Sequence, residues 1–399
     1  MKVIKVAQTI LLTYFGSAVL YTLLPSIAGR IKSKAKPLPA QPKQHKIAIL
    51  VPAYKEDNVI VSVVEKHLAQ QYPSELFDVI VIADSLKAET VAQLQALPIK
   101  VLIAEFEQST KTKSLVLALE TFQDTYDIAL ICDADNIMEE AFLRKINDAY
   151  AAGHPAIQGR RVAKNLNTPF AVLDATSEII NNHIYRKGFN ALSLSSSLIG
   201  SGMAFRYQDL YECLAQIDAV GGFDRVLQLY MIEKGHRIVY LESALIFDEK
   251  VENSQAFTNQ RKRWMSSQFV YLRRYFSRGM KALLRGDLDY FNASVLYNLF
   301  LPRIINLGLL SSLTALSWVF YRSAPTKPRV WSSLLLLNVL SLVVAIPQSF
   351  FTGKLFNALL SLPQVFLIMF RLLFKLKGAD QKFIHTEHTR AEVDENIAY

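Results

Sequence analysis

The sequence predicts an α/β domain built on a mostly parallel, doubly wound sheet and flanked by transmembrane and interfacial helices. Three observations carry that prediction. Between residues 47 and 132, short apolar runs alternate with segments of helical spacing, the pattern of strand–helix–strand units that build parallel sheets. The polar residues of this region gather where the apolar runs end, which is where open α/β sheets bind ligands. Hydrophobic residues make up 51% of the 399, and the excess lies at the two ends of the chain, in stretches long enough to cross a bilayer.

Each element follows in order. Residues 1–30 read as a transmembrane anchor, because 6–28 is uncharged, largely apolar and of spanning length. Small residues near Ser26 also suit a cleaved leader, but the apolar run is longer than a usual signal core. Residues 31–46 carry Pro37, Pro39 and Pro42 and read as a linker. The domain 47–252 begins with a buried strand at 47–52, stopped by Pro52, then a polar loop and a helix over 59–70. A strand at 77–83 ends at Asp84; a helix over 86–97, a strand at 101–104, a helix over 114–122 and a strand at 128–132 follow. Beyond these come a helix over 139–152, a short strand at 156–159 and an amphipathic helix over 168–185. A glycine-bearing run at 198–205 precedes a helix that starts near Asp224 and is stopped by Gly235. Residues 253–290 read as interfacial amphipathic helices. The membrane region 291–376 holds apolar segments at 293–321, 330–351 and 355–374, the first broken by Pro302 and Arg303. Residues 377–399 read as a polar tail, in which His385 and His388 are the metal-capable groups.

The net charge of +9 is compatible with nucleic acid or anionic lipid, and its placement decides. Lys32, Lys34 and Lys36 follow the first apolar segment, and Arg261, Lys262, Arg263, Arg273, Arg274 and Arg278 precede the next. That is the positive-inside pattern of a cytoplasmic domain held against a bilayer, with no nucleic-acid partner expected. Two cysteines far apart, Cys132 and Cys213, give no disulfide framework.

The chemistry centres on Asp133-Ala134-Asp135. Two carboxylates at the end of a buried strand suit a hard cation, Mg²⁺ or Mn²⁺, that completes its shell with phosphate oxygens. Tyr54, Glu56 and Asp84 follow the first two strands, where a base and ribose would lie, and Lys111 precedes a helix. Taken singly, each of these also reads as a cap, a turn residue or a surface charge. Gly200-Ser201-Gly202 permits close approach of backbone to a ligand. Asp224 suits an N-cap and equally a general base. Gln260, Arg263 and Trp264 share one helical face, where a guanidinium pairs with a diphosphate and an indole offers a platform for a sugar.

Val51-Pro52-Ala53-Tyr54-Lys55-Glu56, Asp84, Lys111, Asp133-Ala134-Asp135, Gly200-Ser201-Gly202, Asp224 and Gln260-Arg261-Lys262-Arg263-Trp264, in this order, resemble the membrane-embedded family 2 glycosyltransferases. These are inverting enzymes of GT-A fold, with a Rossmann-like nucleotide-sugar-binding domain. The resemblance implies that Ala53, Tyr54, Glu56 and Asp84 hold the uridine of a UDP-sugar and that Lys111 and Asp133 contact the donor. It implies that Asp135, with Asp133, ligates Mg²⁺ or Mn²⁺. Gly200, Ser201 and Gly202 would line the acceptor site, Asp224 would be the base, and Gln260, Arg263 and Trp264 would hold the diphosphate and the acceptor end. The chain departs from the family pattern in having Phe223 where an acid usually precedes the base, with Asp218 nearby, and Ser114-Leu115-Val116 after the lysine segment. The expected activity is metal-dependent transfer from a UDP-sugar to a growing polysaccharide at the cytoplasmic face of a bacterial inner membrane. Single transfer to a lipid acceptor is the alternative reading, and non-catalytic sensing of a nucleotide sugar is the third.

Overall fold

The computed structural model describes residues 2–31, 42–217, 222–322, 326–376 and 388–394. Most of the expected linker, much of the tail including His385, and Asp218 lie outside the described residues.

Eight strands form one mixed sheet: β1 (Ile47–Tyr54), β2 (Phe77–Asp84), β3 (Lys100–Ala104), β4 (Ile128–Ile131), β5 (Ile137–Met138), β6 (Ala156–Ala163), β7 (Met203–Arg206) and β8 (Val239–Asp248), in the order β3-β2-β1-β4-β7-β6-β8-β5. The first four are mutually parallel, as the alternating pattern predicts. The second half is mixed: β7 runs antiparallel to both β4 and β6, while β6 and β8 are parallel. Period-2 alternation divides each central strand between two cores. Ile47, Ile49, Val51, Val79, Val81, Ile128 and Leu130 line one face, and Ala48, Leu50, Ile80, Ile82, Ala129 and Ile131 the other. Burial on both faces explains the unbroken apolar runs in the sequence.

β1 does not stop at Pro52 but continues to Tyr54, with Pro52 opposite Ile82 of β2. Two residues earlier, the Leu50 carbonyl accepts from the Cys132 amide across the β4 side. Pro52 faces that same side beyond the end of β4, where no ladder bond needs its missing N–H. The helix over 168–185 is resolved into Pro169–Asn181 followed by a π-turn at Asn182–Gly188. β5, β8 and the helix Tyr207–Leu214 are additions to the elements read from sequence.

Among the described residues two helices, Val6–Ala28 and Pro328–Ala345, are long and apolar enough to cross a membrane. Two bent pairs, Leu288–Leu299 with Arg303–Val319 (57°) and Gly353–Leu359 with Leu362–Leu372 (49°), raise the number to four if each pair is one span. The first bend falls at the Pro302–Arg303 break expected from the sequence. These two helices pack through Phe15, Val19 and Trp331, and Ser26 donates to the Ser341 carbonyl at 2.7 Å. The first of them also touches the sheet-bearing part of the chain. A Cβ at Gly188, in the π-turn, would stand 2.2 Å from the Pro25 carbonyl oxygen, so only glycine admits the N-terminal helix there. The basic segment is one helix, Ser254–Leu284. Arg261 on it is buried and ion-paired with Asp174.

Candidate active site

From β1 the chain winds outward through β2 to β3, and the helix Lys111–Thr121 then carries it back to β4 on the other flank of β1. The strand order therefore reverses between β1 and β4, and a crevice opens at their carboxyl ends. Tyr54 ends β1 there and Glu56 follows it, Asp84 ends β2, and Asp133 and Asp135 follow β4.

Local backbone geometry sharpens this edge. Lys55 and Ser85, each immediately after a strand, adopt φ of 56° and 58°, left-handed conformations that non-glycine residues hold only where surrounding contacts enforce them. The Lys55 amide bonds the Asp84 carbonyl at 3.2 Å. Asp84 is buried; its Oδ1 accepts from Ser85 and Ser109 at 3.0 and 3.1 Å, while its Oδ2 is buried and without a hydrogen-bond partner. Ala53 turns its methyl into the core with Val51 and leaves only backbone for a ligand.

Lys111 is the first residue of its helix, not the residue before it, because the Thr110 hydroxyl caps the Lys113 amide at 3.2 Å. From that position Lys111 ion-pairs with Asp133, donates to the Gly200 carbonyl at 2.7 Å, and lies 5.5 Å from the Phe223 ring. One ammonium thus joins the acidic turn, the glycine turn and the helix Phe223–Glu233 that carries Asp224. Burial pushes the Asp133 carboxyl above its ordinary range despite the Lys111 charge. Burial lowers the pKa of Arg263, and the opposing pull comes from Asp133.

The acidic turn is held from behind. Ser201 accepts from the Asp133 amide at 3.0 Å and donates to Asn136 Oδ1 at 2.6 Å; Asn136 in turn donates to Asp135 Oδ2 at 2.9 Å and to Asp248 at 3.1 Å. Ser201 is fully buried, so its hydroxyl braces the carboxylate turn instead of facing open space. Gly200 (φ 86°) and Gly202 (φ 62°) supply the left-handed turns that put it there. His67, unremarked in the sequence, is fully buried with Nε2 3.0 Å from the Asn136 carbonyl oxygen; burial pushes its pKa down to about 4.

Asp224 is in the first turn of its helix and is not the N-cap. That position belongs to Gly222 at φ 70°, which is pressed against Tyr271. Tyr271 is pushed up by burial and then by the Asp224 charge, and its ring against Gly222 sets the start of the Asp224 helix beside the helix Ser254–Leu284. On that helix Trp264 is 38% exposed, and the Arg261 guanidinium stacks 4.4 Å from its ring. Gln260 Oε1 is buried without a hydrogen-bond partner.

Among the described residues no three His, Cys, Asp or Glu side chains converge on one metal position. Asp133 and Asp135 are the carboxylate pair the protein offers. That oxygen-donor set fits Mg²⁺ or Mn²⁺, which bind through one or two carboxylates plus substrate phosphates.

The tail contributes a part that its polarity did not announce. Residues 388–394 lie across the Glu56 side of the crevice, with His388 Nδ1 3.0 Å from Glu56 Oε1. Burial opposes the charge on His388, but Asp135 and Glu56 outweigh it and push the pKa up to about 10. Lys164, fully buried at the end of β6, bonds the Asp135 carbonyl and, at 2.8 Å, the Arg390 carbonyl.

Residues 43–267 match the family model described as glycosyltransferase like family 2. Over 298 residues, 67% of this chain and 69% of the other, the sequence is 23% identical to the probable glycosyltransferase YdaM of Bacillus subtilis (strain 168). The fold is similar to that of the mannosyltransferase PcManGT from Pyrobaculum calidifontis, solved in complex with GDP-Man and Mn²⁺. The TM-score is 0.52 at 17% identity, spanning 90% of this chain and 98% of that one.

Proposed function

The chain belongs to the glycosyltransferase-like family 2, and from that premise we propose that it is a membrane-bound inverting enzyme. It transfers a sugar from a UDP-sugar to a growing polysaccharide at the cytoplasmic face. The observation that carries this reading is the Lys111–Asp133 ion pair at the β1/β4 switch point, with the same ammonium on the Gly200 carbonyl and beside the helix of Asp224. An ammonium paired with one carboxylate of the Asp133–Asp135 turn suits a metal–diphosphate and its leaving group.

In this reading Asp84 accepts hydrogen bonds from the nucleoside through its unpaired Oδ2, beside Tyr54, Glu56 and the Ala53 backbone. Asp133 and Asp135 hold Mg²⁺ or Mn²⁺, which when bound neutralises charge on the diphosphate. Lys111 and Arg263 stabilise the negative charge that grows on the leaving oxygen, and they are in place before reaction. Asp224 takes the proton from the acceptor hydroxyl as that oxygen attacks the anomeric carbon. One displacement then inverts the centre without a covalent sugar–enzyme intermediate. Trp264, partly exposed, and Gln260 meet the acceptor end; Gly200 and Gly202 shape the wall opposite.

The test is nucleotide release by detergent-purified protein with Mg²⁺ or Mn²⁺ across a panel of UDP-sugars, with GDP-mannose included because the structural neighbour was solved with it. Asp135→Asn and Asp224→Asn are run beside the wild type, and products are sized. Metal-dependent release, absent in both variants and accompanied by a ladder of products, supports the synthase. A single lipid-sized product assigns a glycolipid transferase. Saturable nucleotide binding without turnover on any donor, membranes included, rejects the enzyme.

A further inference from the structure

We propose that residues 388–394 are a built-in competitor of the donor: a strap that occupies the Glu56–Asp135 side of the crevice and is displaced when a divalent cation–nucleoside diphosphate binds. The proposal rests on the donor reading above.

The strap is seated on the carboxyl ends of three strands at once. His388 meets Glu56 after β1, and Lys164 after β6 donates to the Arg390 carbonyl and accepts, through its own carbonyl, from the Asp394 amide at 3.0 Å. After β8, Glu249 accepts from the Arg390 amide at 3.0 Å and Glu252 from Arg390 Nε at 2.7 Å. Lys66 donates to the Ala391 carbonyl at 2.8 Å, and Val393 packs on Val59, Val63 and Ile137.

Burial within the carboxylate pair is unequal. Asp133 is only partly buried, whereas Asp135 is buried. The covered acid is the one on the strap side. The other acids of that side, Glu56, Glu249 and Glu252, are each met by an imidazole, an amide or a guanidinium of the strap. A metal ion seated on Asp135 and a nucleoside seated on Glu56 would claim the ground that His388 holds, so strap and donor exclude one another there.

The hold is also of a kind that yields. Its Arg390–Glu252 ion pair is partly solvated, with side-chain exposures of 29% and 37%, and pairs of that exposure are weak in water; the His388–Glu56 pair is more enclosed, at 24% and 10%. Val393 is the one side chain of the strap in an apolar cluster among the described residues. A ligand that binds the open form and not the closed one needs only modest differential affinity to shift such an equilibrium. Lys164 couples the two events, because its ammonium reaches both the Asp135 and the Arg390 carbonyls.

The experiment is hydrogen exchange of the full chain in detergent, following peptides that cover 388–394, with and without saturating Mn²⁺–UDP and Mn²⁺–GDP; binding is measured in parallel by calorimetry. Exchange at Arg390 and Asp394 is expected to accelerate about ten-fold on binding. The double variant H388A/R390A is expected to bind about ten-fold more tightly than wild type, the factor for a strap open a tenth of the time. Nucleotide binding with exchange unchanged or slowed overturns the strap and leaves the donor reading standing. So does a nitrogen coupling in the Mn²⁺ resonance spectrum that disappears in His388→Ala, since the histidine would then be a ligand and not a competitor. Absence of binding by both wild type and double variant removes the donor reading and the strap together.

Discussion

Ser201→Ala separates bracing from binding at the centre of the site. The hydroxyl accepts from the Asp133 amide at 3.0 Å and donates to Asn136 Oδ1 at 2.6 Å, and the side chain has no exposed surface. Removing it orphans the Asp133 amide and Asn136 Oδ1, and Asn136 is fully buried. At about 1–3 kcal/mol for each buried group left unpaired, with some relaxation, the expected loss of stability is about 2–4 kcal/mol. Asn136 also positions Asp135 Oδ2 and Asp248, so the carboxylate turn should loosen and metal affinity should fall with stability. The assay is chemical unfolding in detergent beside a Mn²⁺ titration in the presence of UDP and acceptor-dependent kinetics. A variant of unchanged stability and metal affinity whose acceptor KM alone rises would refute the bracing role and restore Ser201 to the acceptor surface.

Further predictions come from other buried contacts. Glu178 is ion-paired at 2.8 Å with both Arg161 and Arg186, all nearly buried; Glu178→Gln should cost about 3–5 kcal/mol by leaving guanidinium charge uncompensated. Burial alone would raise the Glu178 pKa, but Arg161 and Arg186 hold it well below the ordinary range. Its contribution is therefore fully present above the unfolded value of about 4.3 and lost as pH falls toward the folded one. The wild-type advantage over the variant in unfolding midpoint should shrink below that pH, and a gap that widens there would contradict the pairing. Gly188→Ala puts a methyl where the Pro25 carbonyl lies; the anchor must shift, so the melting temperature should fall and proteolysis near residue 30 should speed up. Arg261→Met, which strands Asp174, should lower stability at any salt concentration, whereas a headgroup contact would weaken membrane association in a salt-dependent way.

Much of the fold was legible because parallel strands buried on both faces must be apolar throughout. β1, β2 and β4 therefore appear in the sequence as contiguous apolar runs, and Asp84, Asp133 and Asp135 stand out where those runs end. The bilayer imposes an equally local demand, length without charge, which marks Val6–Ala28 and the proline-broken segments. The second half of the sheet left a fainter trace: β8 carries Glu242 and Ser243 in its middle and alternates irregularly in burial, and β5 is two residues long. Tertiary structure alone decided the pairings. Ser201 reaches Asn136 across 65 residues, Arg261 reaches Asp174 across 87, and His388 reaches Glu56 across 332. A serine between glycines, an arginine in a basic helix and a histidine in a polar tail each have an ordinary local reading, because periodicity reports only which side of its own element a residue occupies. What that side faces is set by chain crossovers and by the packing of distant elements, and those contacts turned a surface charge into a buried ion pair and a polar tail into one wall of the site.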